Sequence, residues 1–220
     1  IKRELEKSNI QSKFIRGLRV TDEKIINIVE SVLIDFNNDI VDSLKKFGTD
    51  AVSIHTKKNN IIKVTPEAKE LGFVGIPNKI DNNLIKNILN KKQVPIISPL
   101  GLGNDNHPYN INGDTAAGAI AKSLKSRRLL LMTNVEGVLD KDKKLIDEIS
   151  SSEILKMIED NIITEGMIPK INTCLDAVNN GVTAVGVIDG RKQHSILFEI
   201  FSDKGSGTLI RKWKILKKWN

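Results

Sequence analysis

The chain is poor in cysteine and histidine and has no long apolar run, and each shortage removes a class of function. Among its 220 residues no hydrophobic stretch approaches the roughly 20 residues that a membrane-spanning helix needs. The single cysteine, Cys174, has neither a disulfide partner within the chain nor a metal-ligand partner at the usual spacing. It falls in an apolar helical pattern with Ile171, Leu175 and Val178, so it is expected to pack as a small buried hydrophobe. The three histidines, His55, His107 and His194, show no zinc spacing, and no residue is assigned to a metal. No signal-peptide pattern opens the chain and no repeat or low-complexity linker interrupts it, so the expectation is a cytoplasmic protein with no membrane partner.

What remains is an ordinary globular composition, 40% hydrophobic and 28% charged, long enough for one large domain or two small lobes. The net charge of +7 suggests nucleic acid until its distribution is read. Five of the positive charges, Arg211, Lys212, Lys214, Lys217 and Lys218, sit in a tail without acids, and the body is close to balance. Trp213, Ile215, Leu216 and Trp219 alternate with those charges, a pattern that suits a membrane surface, single-stranded nucleic acid, or a terminal segment laid on the body with its lysines in water. The last is preferred, and no nucleic-acid partner is expected.

Along the chain, residues 1–13 read as the end of a helix already under way. Asp22 and Glu23 suit a helix N-terminus, and apolar residues at Ile25, Val29, Val32, Phe36, Ile40 and Leu44 predict a long amphipathic helix stopped by Gly48. Short β signals at Ala51 to Ile54, Ile61 to Val64 and Phe73 to Ile76 suggest hairpins. Leu84 to Leu89 marks a helix, Val94 to Ile97 a buried strand, and Gly101 to Tyr109 an irregular surface loop. The second half alternates: helix Gly113 to Leu124, buried strand Leu129 to Met132, a capping box at Ser150 and Glu153, helix Met167 to Val178, strand Thr183 to Ile188, helix Ser195 to Phe201. Such alternation predicts an α/β fold with a mostly parallel sheet covered on both faces.

Three segments place polar groups where elements begin or end, the positions at which open α/β folds bind ligands. They are Gly17-Leu18-Arg19-Val20-Thr21-Asp22, Asn110-Ile111-Asn112-Gly113-Asp114 and Gly166-Met167-Ile168-Pro169-Lys170. Together with Asn134 to Asp140 and Asp189-Gly190-Arg191, and in this order, they resemble the amino acid kinase family from about Phe14 to Ile210. The resemblance implies a three-layer αβα sandwich with a mostly parallel central sheet, spanning residues 1–210. A substrate-side lobe would cover about 1–112, a nucleotide-side lobe about 113–210, and a basic tail 211–220.

It also implies phosphoryl transfer from ATP to the side-chain carboxylate of N-acetyl-L-glutamate, a step of arginine biosynthesis, with Mg2+ bridging phosphate oxygens and a homo-oligomeric assembly. A carboxylate acceptor, with a free pKa of about 4.3, is already ionised at neutral pH, so charge neutralisation and alignment matter and a general base does not. By resemblance Lys170 stabilises the transition state, where a surface lysine is the plain alternative, and Asp114 organises catalytic lysines, where a helix cap is. Arg19 would grip a substrate carboxylate through its bidentate fork, where a surface ion pair is the alternative. Asn110 would bind the acceptor, with Asn112 supporting the turn.

Asn134, Val135, Glu136, Gly137, Val138 and Leu139 resemble the nucleotide-binding turn, with Gly137 allowing close backbone approach. Asn134 stands where the family usually has Asp, and Ile162 and Thr164 match a second nucleotide-contacting stretch. The family's first strand, its lysine-bearing glycine loop and its histidine-glycine loop have no counterpart here, and His55 to Asn60 does not replace them. The expectation is therefore a chain that starts downstream of those parts. A sister kinase acting on aminoadipate carried on a protein, and a binding module without catalysis, both stay open.

Overall fold

The computed structural model describes residues 1–163, 167–202 and 205–213. Two compact units divide the chain, residues 1–116 and 117–220. In the first, α1 (Lys2–Lys7) buries Leu5 against Ile25 and Val29 of α2 (Glu23–Lys46). The Asp22 carboxylate caps α2 by accepting the Ile25 N–H at 2.9 Å, and the helix ends at Lys46, two residues before Gly48, where the apolar pattern stops.

Before it, β1 (Phe14–Ile15) and β2 (Leu18–Arg19) form a hairpin closed by Arg16 (φ 51°) and Gly17 (φ 79°). Two consecutive positive φ angles are what a two-residue hairpin turn of matching twist requires. β3 (Ala51–Ile54) pairs parallel with β6 (Val94–Ile97), while β4 (Ile62–Pro66) and β5 (Gly75–Ile80) form an antiparallel hairpin. α3 (Asn82–Asn90), capped by Asp81, leads into β6. β7 (Leu100–Leu102) and β8 (Pro108–Asn110) complete a four-stranded sheet in the order β5-β4-β7-β8. α4 (Gly113–Leu124) crosses the boundary between the units.

In the second unit the order is β10-β12-β11-β9, with β9 (Arg128–Thr133) and β11 (Ala184–Asp189) parallel, β10 (Glu148–Ser150) and β12 (Gly207–Arg211) parallel, and β11 and β12 antiparallel. α5 (Ser151–Glu159) opens on the expected capping box of Ser150 and Glu153, followed by α6 (Ile168–Asn179) and α7 (Ser195–Phe201). Every residue of β11 is buried, and Val185 and Val187 meet Ile171, Cys174 and Val178 of α6 in one core. Cys174 is buried there, as its apolar neighbours implied. No helix among the described residues is long and apolar enough to cross a membrane.

The α/β class and most element positions match the sequence reading, and five local readings are corrected. β3 joins a parallel pair instead of a hairpin, because Val94 to Ile97 returns beside it through α3. β6 and β9 are only partly buried strands. The third β segment starts at Gly75, two residues late, since Phe73 and Val74 bond instead to Thr21 and bridge to Asn110. The stretch from Gly101 to Tyr109 is largely the β7–β8 hairpin, with Tyr109 buried. Arg211 is a strand residue bonded to Glu148 at 2.8 Å, so the basic tail does not begin there. Lys214, Ile215, Leu216, Lys217, Lys218 and Trp219 lie outside the described residues, as do Thr164 and Gly166.

Candidate functional site

Arg19 ends β2, where the register sets it opposite Phe14. Its guanidinium lies 4.7 Å from the Phe14 ring centroid and donates to the Ser12 hydroxyl. Burial lowers its pKa below the usual arginine value. Among the described residues it has no carboxylate partner, so a cation with spare donors is presented on a short, rigid hairpin.

Thr21, two residues on, is fully buried and fixes this hairpin to the body. Its hydroxyl donates to the Arg19 carbonyl at 2.9 Å, its N–H donates to the Leu71 carbonyl at 2.9 Å, and its carbonyl accepts the Phe73 N–H at 2.7 Å. Gly72 makes the close approach possible, since its φ is 67° and a Cβ there would stand 2.3 Å from the Thr21 carbonyl oxygen. The Phe73 carbonyl in turn accepts the Asn110 N–H at 2.9 Å. Two backbone hydrogen bonds through one residue thus connect the Arg19 segment to Asn110, the two residues that the sequence assigned to one ligand. The Asn110 side-chain amide has no hydrogen-bond partner among the described residues.

Beyond Asn110, the Asn112 side chain accepts the N–H groups of Asp114 (3.0 Å) and Thr115 (3.1 Å). Asn112 is therefore the cap of α4, which corrects the alternative reading of Asp114 as the cap. Asp114 occupies the first turn, half-buried.

In the second unit the turns after β9 and β11 lie side by side, because Thr133 pairs with Asp189 at the carboxyl ends of two parallel strands. Asn134, Val135 and Glu136 are exposed there, and Glu136 pairs with Lys192 at 3.0 Å. Val138 is buried, its N–H donating to the Thr208 hydroxyl at 2.8 Å, while Leu139 bridges to Leu145. A Cβ on Gly137 (φ 151°) would meet that hydroxyl at 2.5 Å. Thr208 makes a close approach that requires glycine at this position. The Asp189 carboxylate, buried, accepts from the backbone N–H, Nε and Nη2 of Arg191, each at 2.9 Å. Those bonds lower its pKa from 3.8 to about 2.

Lys170 is half-buried in the first turn of α6, whose N-cap residue Met167 supplies no side-chain acceptor and whose early Pro169 suits a helix start. Ile162 is half-buried between α5 and α6, its N–H bonded to the Met157 carbonyl at 2.9 Å. Among the described residues no group of three or more His, Cys, Asp or Glu is arranged to hold a metal ion.

Sequence reasoning missed the aromatic cluster beside Asn110. The rings of Phe73 and His107 stack with centroids 4.2 Å apart, and Tyr109 meets Phe73 edge-on at 5.5 Å. Burial raises the Tyr109 pKa from 10.0, with neighbouring Asp105 acting in the same direction. The signal was slight, because two of these rings lie in a stretch rich in turn residues and the third between two glycines.

The acetylglutamate kinase of Pelagibacter ubique (strain HTCC1062) is 56% identical over 203 residues, covering 92% of this chain and 70% of that protein. The acetylglutamate kinase of Clostridioides difficile (strain 630) is 46% identical over 217 residues, covering 96% and 76%. The crystal structure of smu.665 from Streptococcus mutans UA159 superposes with a TM-score of 0.82 at 29% identity, covering 96% of this chain and 82% of that one. Residues 1–189 match the amino acid kinase family, and the chain belongs to that family.

Proposed function

We propose that this chain transfers the γ-phosphoryl group of ATP to the side-chain carboxylate of N-acetyl-L-glutamate, giving the 5-phosphate in arginine biosynthesis. The observation that carries the reading is the connection of Arg19 to Asn110 through Phe73, in a chain 56% identical to an acetylglutamate kinase. Arg19, with no carboxylate partner among the described residues, is suited to the acceptor's non-reacting carboxylate, and Asn110 offers a side-chain amide to its polar groups.

The nucleotide falls to Asn134, Val135, Glu136, Gly137, Val138 and Leu139, with Ile162 and Thr164. This assignment is supported by the position of the turn at the carboxyl ends of β9 and β11. Lys170 neutralises charge on the transferring group with help from the α6 N-terminus, and Asp114, in the first turn of α4, orients the catalytic lysines. Mg2+ fits a site of this kind when ATP phosphates and water supply most of its ligands, because the described residues form no carboxylate cage. When bound, it would offset negative charge on the phosphates. A cytoplasmic homo-oligomer completes the reading, supported by five exposed apolar side chains on α7: Ile196, Leu197, Phe198, Ile200 and Phe201.

The test is ATP consumption with N-acetyl-L-glutamate, N-acetyl-L-aspartate and an N-acylated aminoadipate in competition. Preference for the first is expected. Preference for the aminoadipate acceptor moves the chain to a sister kinase, and consumption with none of them leaves a binding module.

A further inference from the structure

We infer that His107 is a positioning residue for the acceptor substrate, an inference that rests on the reading of Arg19 and Asn110 as acceptor-binding residues. The His107 ring touches the three segments that set those two residues. It stacks on Phe73 at 4.2 Å with an interplanar angle of 20°. Its Nε2 lies 3.2 Å from Glu23 Oε1, in the first turn of α2 and two residues after Thr21. Its Nδ1 lies 3.2 Å from the Pro108 carbonyl oxygen, two residues before Asn110. Phe73 is the residue whose N–H and carbonyl link Thr21 to Asn110, so the ring braces the link itself.

Both ring nitrogens face acceptors, a carboxylate and a carbonyl. A neutral imidazole has one N–H, so only the imidazolium makes both contacts hydrogen bonds. The remaining groups around the ring are Asp105, which accepts the His107 backbone N–H at 3.0 Å, and Tyr109, whose ring stands edge-on at 6.4 Å and whose hydroxyl points to Asp105. Tyr109, its pKa raised by burial, stays neutral and adds no charge beside the ring. Loss of the His107 side chain therefore removes both of these contacts and the stack on Phe73, and loosens the Phe73 segment. Asn110 and the Arg19 hairpin lose their common anchor.

The test is steady-state kinetics of the purified enzyme with both substrates varied. His107→Ala is expected to raise the KM for N-acetyl-L-glutamate about 10-fold, as for loss of one charge-assisted hydrogen bond and a stack. The KM for ATP and kcat stay within about twofold. His107→Arg, planar, permanently charged and able to donate to both acceptors, restores the acceptor KM to within about threefold. Glu23→Ala, which removes an exposed carboxylate, gives a smaller rise in the same parameter and serves if His107→Ala fails to fold.

Equal increases in both KM values, or no rescue by arginine, overturns the positioning role. Turnover of N-acetyl-L-glutamate with His107→Ala unchanged sinks the brace alone. Absence of any such turnover in the wild type sinks the functional reading and the brace with it.

Discussion

Gly137 and Thr208 share a space that holds one side chain. The Thr208 hydroxyl fills it, 2.8 Å from the Val138 N–H, and a Cβ on Gly137 would stand 2.5 Å from the same oxygen. Gly137→Ala is therefore expected to destabilise the second unit by about 2 kcal/mol, through overpacking at a backbone angle unfavourable to alanine. Thr208→Val leaves the buried Val138 N–H without an acceptor and is expected to lose roughly 2 kcal/mol. Urea denaturation measures both. If the turn holds the nucleotide, each also raises the KM for ATP and spares that for the acceptor.

The Asp189–Arg191 clamp gives a pH dependence whose sign follows from its cause. Hydrogen bonds from Arg191 hold the folded-state pKa at about 2, below the usual 3.8. The ionised carboxylate therefore stabilises the fold at every pH above the unfolded value, and this contribution is lost as pH falls from about 4 towards 2. In Asp189→Asn the loss of stability over that window is expected to be shallower than in wild type. Identical urea midpoints against pH in the two proteins would sink the assignment.

Arg19→Lys keeps the charge and loses the planar fork, so the KM for N-acetyl-L-glutamate is expected to rise about 10-fold while the KM for ATP is spared. A parallel rise in both would make Arg19 structural, a support for its own hairpin through Ser12 and Phe14.

Lys170→Ala removes a charge aimed at the transferring group. The expected loss is about 10²- to 10³-fold in kcat with a smaller effect on either KM. Wild-type turnover in this variant would return Lys170 to the role of a surface lysine.

Elements specified by local chemistry were readable in the sequence. Asp22 caps α2, Ser150 and Glu153 box the start of α5, and Gly113 to Leu124 is helical at the residues expected. What depended on distant partners was not readable. Nothing near Phe73 signals that its backbone serves Thr21 on one side and Asn110 on the other, and that service delays β5 to Gly75. The glycines and asparagines of 101–109 read as loop because the pairing of Leu100 with Asn110, a contact across ten residues, has no local signature. For the candidate site, Arg19, Asn110, Asp114 and Lys170 were legible as charged or polar groups at element ends. The brace of Phe73, His107 and Glu23 was hidden because it joins three segments separated by 34 to 84 residues of sequence.

The central claim is a phosphorylated carboxylate, and the direct measurement is hydroxylamine trapping of the product formed by the purified protein from ATP, Mg2+ and N-acetyl-L-glutamate. An acyl phosphate reacts with hydroxylamine to a hydroxamate, so the account predicts hydroxamate in amounts equal to the ADP released, reduced by Lys170→Ala in proportion to kcat. ADP release without hydroxamate, or hydroxamate formation indifferent to the presence of N-acetyl-L-glutamate, would contradict it.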